Sequence, residues 1–275
     1  MNPITQLTFW QEFLNLSTQS LLIVCAWMAF LWLIHLLIRN AAIVDAGWAF
    51  GIAFCAAFYA YSASGAFPRR WLLTIMVGIW GVRLGLHLLL NRIIGHPEEG
   101  RYVELRQKWG PSNIALKFLL FYQVQAVSCV LLSIPFLLSS LNRTAEFGIL
   151  EKLAVLLWGI ATSCVAIADM QLNRFKQNRA NQGKVCREGL WAWSRHPNYF
   201  FEWLVWVSYA LFALSSPWGF LGLISPALIL HFVLNVTGIP PTEEQALRSK
   251  GDEYRKYQSE VSAFVPMPPK IQAEA

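Results

Sequence analysis

The chain has 275 residues, 56% hydrophobic and only 14% charged, with a positive mean hydropathy and a net charge of +6. This excludes a soluble globular domain, because the apolar residues come in runs long enough to cross a bilayer, which takes about 20 helical residues each. The basic excess fits loops at a membrane surface, so membrane lipids and no nucleic acid are expected as partners. The first apolar run lacks the basic n-region and small-residue cleavage site of a signal peptide.

In chain order, residues 1–20 read as an interfacial lead-in. Spans are then predicted at about 21–38, 41–63, 71–91, 116–139, 150–169, 199–214 and 218–237. The expected fold is an all-α, multi-span membrane helical bundle of about seven transmembrane helices, in one membrane domain covering 1–275. Arg39-Asn40 breaks the first two spans and Pro217 the last two, and no internal repeat suggests a second domain. Cys25, Cys55, Cys129 and Cys164 fall within spans and Cys186 in a polar loop, with no CxxC pair or His/Cys grouping at zinc spacing. Free thiols and no metal are expected.

Of the 22 Lys and Arg residues, Arg69, Arg70, Arg143 and Lys152 lie on the N-terminal side, Arg83 inside a span and 17 on the opposite side. The positive-inside rule then puts the N-terminus outside and the C-terminus in the cytoplasm. Ionisable groups inside spans cost several kcal/mol and are candidates for function. They are Asp45, Arg83, His87, Asp169 and Glu202, with His35 and His231 less deep. Asp45 and Arg83 sit in successive antiparallel spans and can pair, while Arg83 and His87 share a helix face. The loop NRIIGHPEEGRYVELRQKWG after the third span reads as a cytoplasmic lid or short amphipathic helix, from which Tyr102 can reach a ligand.

The most concentrated chemistry is GLWAWSRHPNYFFEW, Gly189 to Trp203, which carries Arg195, His196, Asn198, Tyr199 and Glu202. Before it runs the polar stretch Asp169 to Glu188, with Arg174, Lys176, Arg179, Lys184 and Arg187 beside Asn173, Asn178 and Asn181. Residues 170–198 therefore read as a cytoplasmic cofactor loop, since guanidinium and ammonium groups bind phosphate. Residues 239–275 read as a cytoplasmic cap: a polar helix facing Glu244, Tyr254 and Arg255 inward, ended by prolines.

Together with IVDAGW, WGVRLGLHLLLNR and GDEYRKYQSEVSAFVP, this motif resembles the bacterial branch of the steroid 5-alpha-reductase family over about residues 40–268. The resemblance implies a seven-helix protein of the bacterial inner membrane that uses NADPH to reduce an activated C=C bond, an enone, in a lipidic, steroid-like substrate. The family's nucleotide residues fall on Asp169, Lys176, Lys184, Asn198, Tyr199, Glu202 and Trp206. Arg195 and His196 match the bacterial RHPNY pattern, and Asn173, Arg179 and Tyr254 complete the expected cofactor set. The animal enzymes grip the substrate carbonyl with an acid in the second span and a tyrosine in the third. Those positions hold Asp45 and Trp80 here, and an indole N–H cannot supply the proton that a phenol can. Arg83, His87 and Glu202 are the remaining catalytic candidates. RHPNY with a Glu-Glu helix also resembles isoprenylcysteine and phospholipid methyltransferases, which use S-adenosylmethionine. The third reading is a non-enzymatic lipid-binding membrane protein.

Overall fold

The computed structural model describes residues 3–270, and among them every regular element is helical. Six helical stretches are long and apolar enough to cross a membrane: Gln6–Ile38, Ile43–Ser62, Phe67–Ile93, Ile114–Leu132, Ile149–Gln177 and Gly219–Glu260. The chain is a multi-span membrane helical bundle. Three details differ from the sequence reading. The expected lead-in is the first half of one helix, α1 (Pro3–Ile38), because nothing in residues 3–20 breaks the helical pattern. The sixth expected span is α8 (Pro197–Ala213), 17 residues long and shorter than the six. The fourth expected span is split into α5 (Ile114–Leu132) and α6 (Ile134–Ser140), since Pro135 lacks an N–H and cannot continue the ladder.

The chain, expected as one domain, divides into two compact units: residues 3–150 with 213–224, and residues 151–212 with 225–270. All three divisions fall inside helices, at the start of α7 (Ile149–Gln177), the end of α8 and the start of α9 (Ile224–Asn235), so no linker composition marks them.

In the first unit α2 (Ile43–Ser62) is central, packed on α1, α5, α6 and above all α3 (Phe67–Leu88), which continues as a π-helical turn, Leu89–Ile93. Small residues set that closest approach. A Cβ on Gly81 would lie 2.9 Å from the Ala49 carbonyl oxygen, and one on Gly85 2.7 Å from the Phe50 ring. Without a hydrophobic force between helices in lipid, such backbone proximity is what packs them. Arg70 closes the C-terminal end of α2 by donating to the carbonyl oxygens of Ala60 at 2.7 Å and Ala63 at 2.5 Å, both otherwise orphaned. Buried Arg69 donates to the carbonyls of Thr144 and Glu146. Between Ile93 and α5 lies the short polar helix α4 (Gly100–Trp109).

In the second unit α7 joins α8 through Trp158 Nε1 donating to the Tyr209 hydroxyl at 3.2 Å, and α8 joins α9 (Ile224–Asn235) through Trp203 Nε1 donating to the Pro226 carbonyl at 3.0 Å. The apolar part of the last long stretch is carried by residues 219–236, and α10 (Ile239–Glu260) continues it as a polar helix beyond the apolar run. Tyr254, Tyr257 and Val261 of this C-terminal segment pack with Val185.

Candidate functional site

Among the described residues, each unit carries a polar cluster built on a segment that the sequence marks as charge-dense. In the first, loop residues 94–99 and α4 fold over the start of α2. The Arg101 guanidinium pairs with Asp45, and the Tyr102 hydroxyl donates to the other carboxylate oxygen at 2.8 Å. Arg101 also reaches Glu99 at 3.1 Å and lies 4.8 Å over the Tyr102 ring. Tyr102 is 1% exposed and packs edge-on to Phe121. Burial, then the Asp45 charge, pushes its hydroxyl well above the usual phenol range, so it remains a proton donor at neutral pH.

Behind this pair Glu98 accepts from the Ala41 N–H at 2.7 Å and from Arg106 at 2.7 and 2.9 Å. Burial would raise the Glu98 carboxyl, but the hydrogen bonds from Arg106 and Ala41 outweigh it and hold it below the usual value. Arg106 also donates to His35 Nε2 at 2.9 Å. An imidazolium has no acceptor nitrogen, so this contact requires a neutral His35 ring, which stacks on Tyr122. A cleft of about 470 Å³ opens beside the cluster, lined by Arg39, Asn40, His96 and Glu98 among others.

The structure does not pair Asp45 with Arg83, as the antiparallel spans suggested; its ion-pair partner is Arg101. Gly81 and Gly85 form the seam against α2, and Arg83 lies two residues off it, about 200° around the helix. His87 shares the face of Arg83 as expected, but it is exposed and meets Asn91 at 3.2 Å. Trp80 is buried edge-on against Trp48. Glu98, Arg101 and Arg106 escaped the sequence reading, although the charge-dense HPEEGRYVELRQKW was the signal.

The second cluster is built on the 189–203 motif. Gly189 holds φ +58°, and a Cβ there would lie 2.1 Å from Gln171 Nε2, whose side chain also accepts from the Leu190 N–H at 3.0 Å. Both conformation and space require glycine. Gly189→Ala is therefore expected to destabilise the protein by about 1–3 kcal/mol, measured by thermal unfolding in detergent. Beyond it, Trp191 Nε1 donates to the Ala168 carbonyl at 2.9 Å, and the Ser194 hydroxyl donates to the Phe264 carbonyl at 2.8 Å while accepting the His196 N–H at 3.1 Å.

Glu243 is the centre of this cluster. Its Oε1 accepts from Arg195 Nε at 2.6 Å and from the Tyr254 hydroxyl at 3.4 Å, and lies 3.2 Å from His196 Nε2; Oε2 accepts from Gln258 at 2.8 Å. Burial alone would raise this carboxyl, yet the hydrogen bonds from His196 and Arg195 outweigh it and hold it at about 2. His196 stacks on Tyr199 at 5.3 Å, and the Tyr199 hydroxyl meets Thr242 at 3.2 Å. Asn198 donates to Asp169 at 3.2 Å, the pairing of α7 with the motif that the sequence reading grouped. Glu202 and Trp206 continue the Asn198 face of α8 at four-residue spacing, with Trp206 buried.

Arg195, expected among the cofactor residues, directs its guanidinium to Glu243 and to the carbonyls of Gln258 and Val261, and its side chain is only 10% exposed. It fastens the motif to the C-terminal segment. Of the cap residues only Tyr254 faces inward. Glu244 and Arg255 are exposed and pair with Arg248 and Asp252, and the inward acid is Glu243. Asn173, Lys176, Arg179 and Lys184 are exposed, and the three cations make no ion pair among the described residues. Asn181 donates to the Phe175 carbonyl at 3.1 Å, folding their loop back on the end of α7.

A family model described as "Protein of unknown function (DUF1295)" matches residues 31–261. No curated protein and no solved structure matches the chain.

Proposed function

The chain belongs to the DUF1295 family, whose description carries no activity, and from its two polar clusters we propose a membrane-embedded, NADPH-dependent reductase of an enone C=C bond in a lipidic substrate. The observation that carries this reading is the Asp45–Tyr102 pair. The resemblance calls for an acid and a phenol to grip the substrate carbonyl, and Trp80 cannot be the phenol. Tyr102, brought from α4 to 2.8 Å from Asp45, supplies the missing group.

The chemistry assigned to the first unit is electrophilic. Hydride addition at the β-carbon drives the π electrons onto the carbonyl oxygen, and a preorganised donor aimed at that oxygen is the largest electrostatic contribution such a site can make. Tyr102 is that donor. Its proton passes to the developing enolate oxygen, the enol tautomerises to the saturated ketone, and solvent restores the phenol. In the resting site that single proton is donated to Asp45, so the hydroxyl turns from the carboxylate to the substrate oxygen as charge develops there, while Arg101 keeps Asp45 paired.

NADPH supplies the hydride when bound. The donor set of the second unit fits it: Arg174, Lys176, Arg179 and Lys184 lie within one short folded-back segment, exposed and without ion pairs among the described residues. These cations suit phosphates, and Asn173 adds an amide donor. The uneven distribution of basic residues supports a cytoplasmic placement of this segment and of the C-terminus.

The test is the melting point of the detergent-purified protein with NADPH, NADH or S-adenosylmethionine, followed by loss of nicotinamide absorbance with steroidal, prenyl and fatty enones. A ligand that binds only the folded state must raise its stability. Stabilisation by NADPH and enone-dependent oxidation are expected. A shift with S-adenosylmethionine alone would replace reduction by methyl transfer, and no shift with any of the three would leave lipid binding.

A further inference from the structure

Lys176, in the last turn of α7, and Lys250, in α10, come within electrostatic range of each other and of the Cys186 thiol. Neither forms an ion pair among the described residues. Their approach is built into the fold. Val185 packs against Tyr254, Tyr257 and Val261, and its N–H is accepted by Glu253 Oε1 at 2.9 Å, so the loop after α7 is fastened along α10. That bond engages the carboxylate that acts on Lys250. Lys250 is half-buried and stands at the kink where Gly251 leaves helical geometry, with φ 54° and ψ −124°.

Burial and the Lys176 charge both work against the Lys250 ammonium. Two like charges drawn together, with the Glu253 carboxylate acting on Lys250 but already engaged by the Val185 N–H, burden the empty protein, and a dianion relieves both at once. A phosphomonoester carries nearly two negative charges at neutral pH and three acceptor oxygens, whereas a carboxylate or a phosphodiester carries one charge. We propose that Lys176 and Lys250 form a phosphomonoester site and, resting on the reductase reading above, that it takes the 2′-phosphate by which NADPH differs from NADH. Lys250 then joins the cofactor residues as the one that sets specificity.

The experiment compares binding of adenosine 2′,5′-bisphosphate and adenosine 5′-monophosphate to the full-length protein in detergent, for wild type, Lys176→Met, Lys250→Met and Lys250→Arg. The bisphosphate should bind wild type about tenfold or more tightly than the monophosphate, the effect expected for one charge-assisted contact. Both methionine variants should lose that preference and Lys250→Arg should keep it. Empty Lys250→Met should melt no lower than wild type, which separates lost binding from lost folding. Equal binding of the two nucleotides by wild type, or a preference surviving both methionine variants, overturns the proposal. If the preference holds and no enone is reduced, the reductase reading falls and the phosphate site stands. If wild type reduces an enone equally well with NADH and NADPH, the phosphate site falls and the reductase reading stands.

Discussion

Tyr102→Phe is expected to lower kcat for enone reduction by about a hundredfold to ten-thousandfold, the range for removing a positioned proton donor, while the stabilisation by NADPH persists. The ring keeps its place, since Phe121 and Arg101 contact it through its faces and edge rather than its hydroxyl. Asp45 keeps Arg101, so the carboxylate is not left without a counter-charge. The folding cost is that of one hydrogen bond, about 1 kcal/mol, and does not mask the kinetic effect. KM should change little, because the interaction removed is made mainly as charge develops on the oxygen. Single-turnover oxidation of bound NADPH by the best enone checks this, with Trp80→Phe as the comparison. A loss confined to Trp80→Phe would return the donor role to the third span.

Glu243→Ala is expected to cost about 3–5 kcal/mol, the penalty for leaving one partner of a buried ion pair alone. Arg195 is only 10% exposed, and Glu243 is the carboxylate it meets. The same change also removes acceptors from Gln258 and Tyr254 and a contact with His196. Glu244→Ala, one residue on but exposed and paired only with Arg248, should stay within about 0.5 kcal/mol. The Glu243 carboxyl lies at about 2 when folded and near 4.5 otherwise. A depressed folded value means that its stabilisation is fully present above pH 4.5 and is lost as the pH falls toward 2. Melting curves across that window should fall more steeply for wild type than for Glu243→Gln. Equal slopes would remove Glu243 as the anchor of the C-terminal segment.

Much of this was legible in the sequence, and the limits have physical reasons. Long apolar runs interrupted by Arg39-Asn40 and Pro217 announced membrane helices, because a bilayer admits few other solutions. The Glu243 position was not readable from periodicity, because Gly251, at φ 54° and ψ −124°, breaks the helical repeat between it and Tyr254. The partner of Asp45 was not readable. Arg101 and Tyr102 sit 56 and 57 positions away on a separate short helix, and no periodicity spans that gap. Arg195 shows a further limit. Its charge suggests a phosphate ligand, yet whether a guanidinium faces a ligand or its own chain depends on where residues 258–261 fold.

The bend between α1 and α2 imposes an order on synthesis. The Ala41 N–H is satisfied by Glu98, 57 residues later, and its carbonyl by Tyr122, 81 residues later. A chain emerging from the ribosome offers that peptide group neither partner until α4 and then α5 have been made. Until then water must satisfy it, which holds the bend at the lipid boundary, and the α1–α2 hairpin reaches its final depth only when α5 arrives.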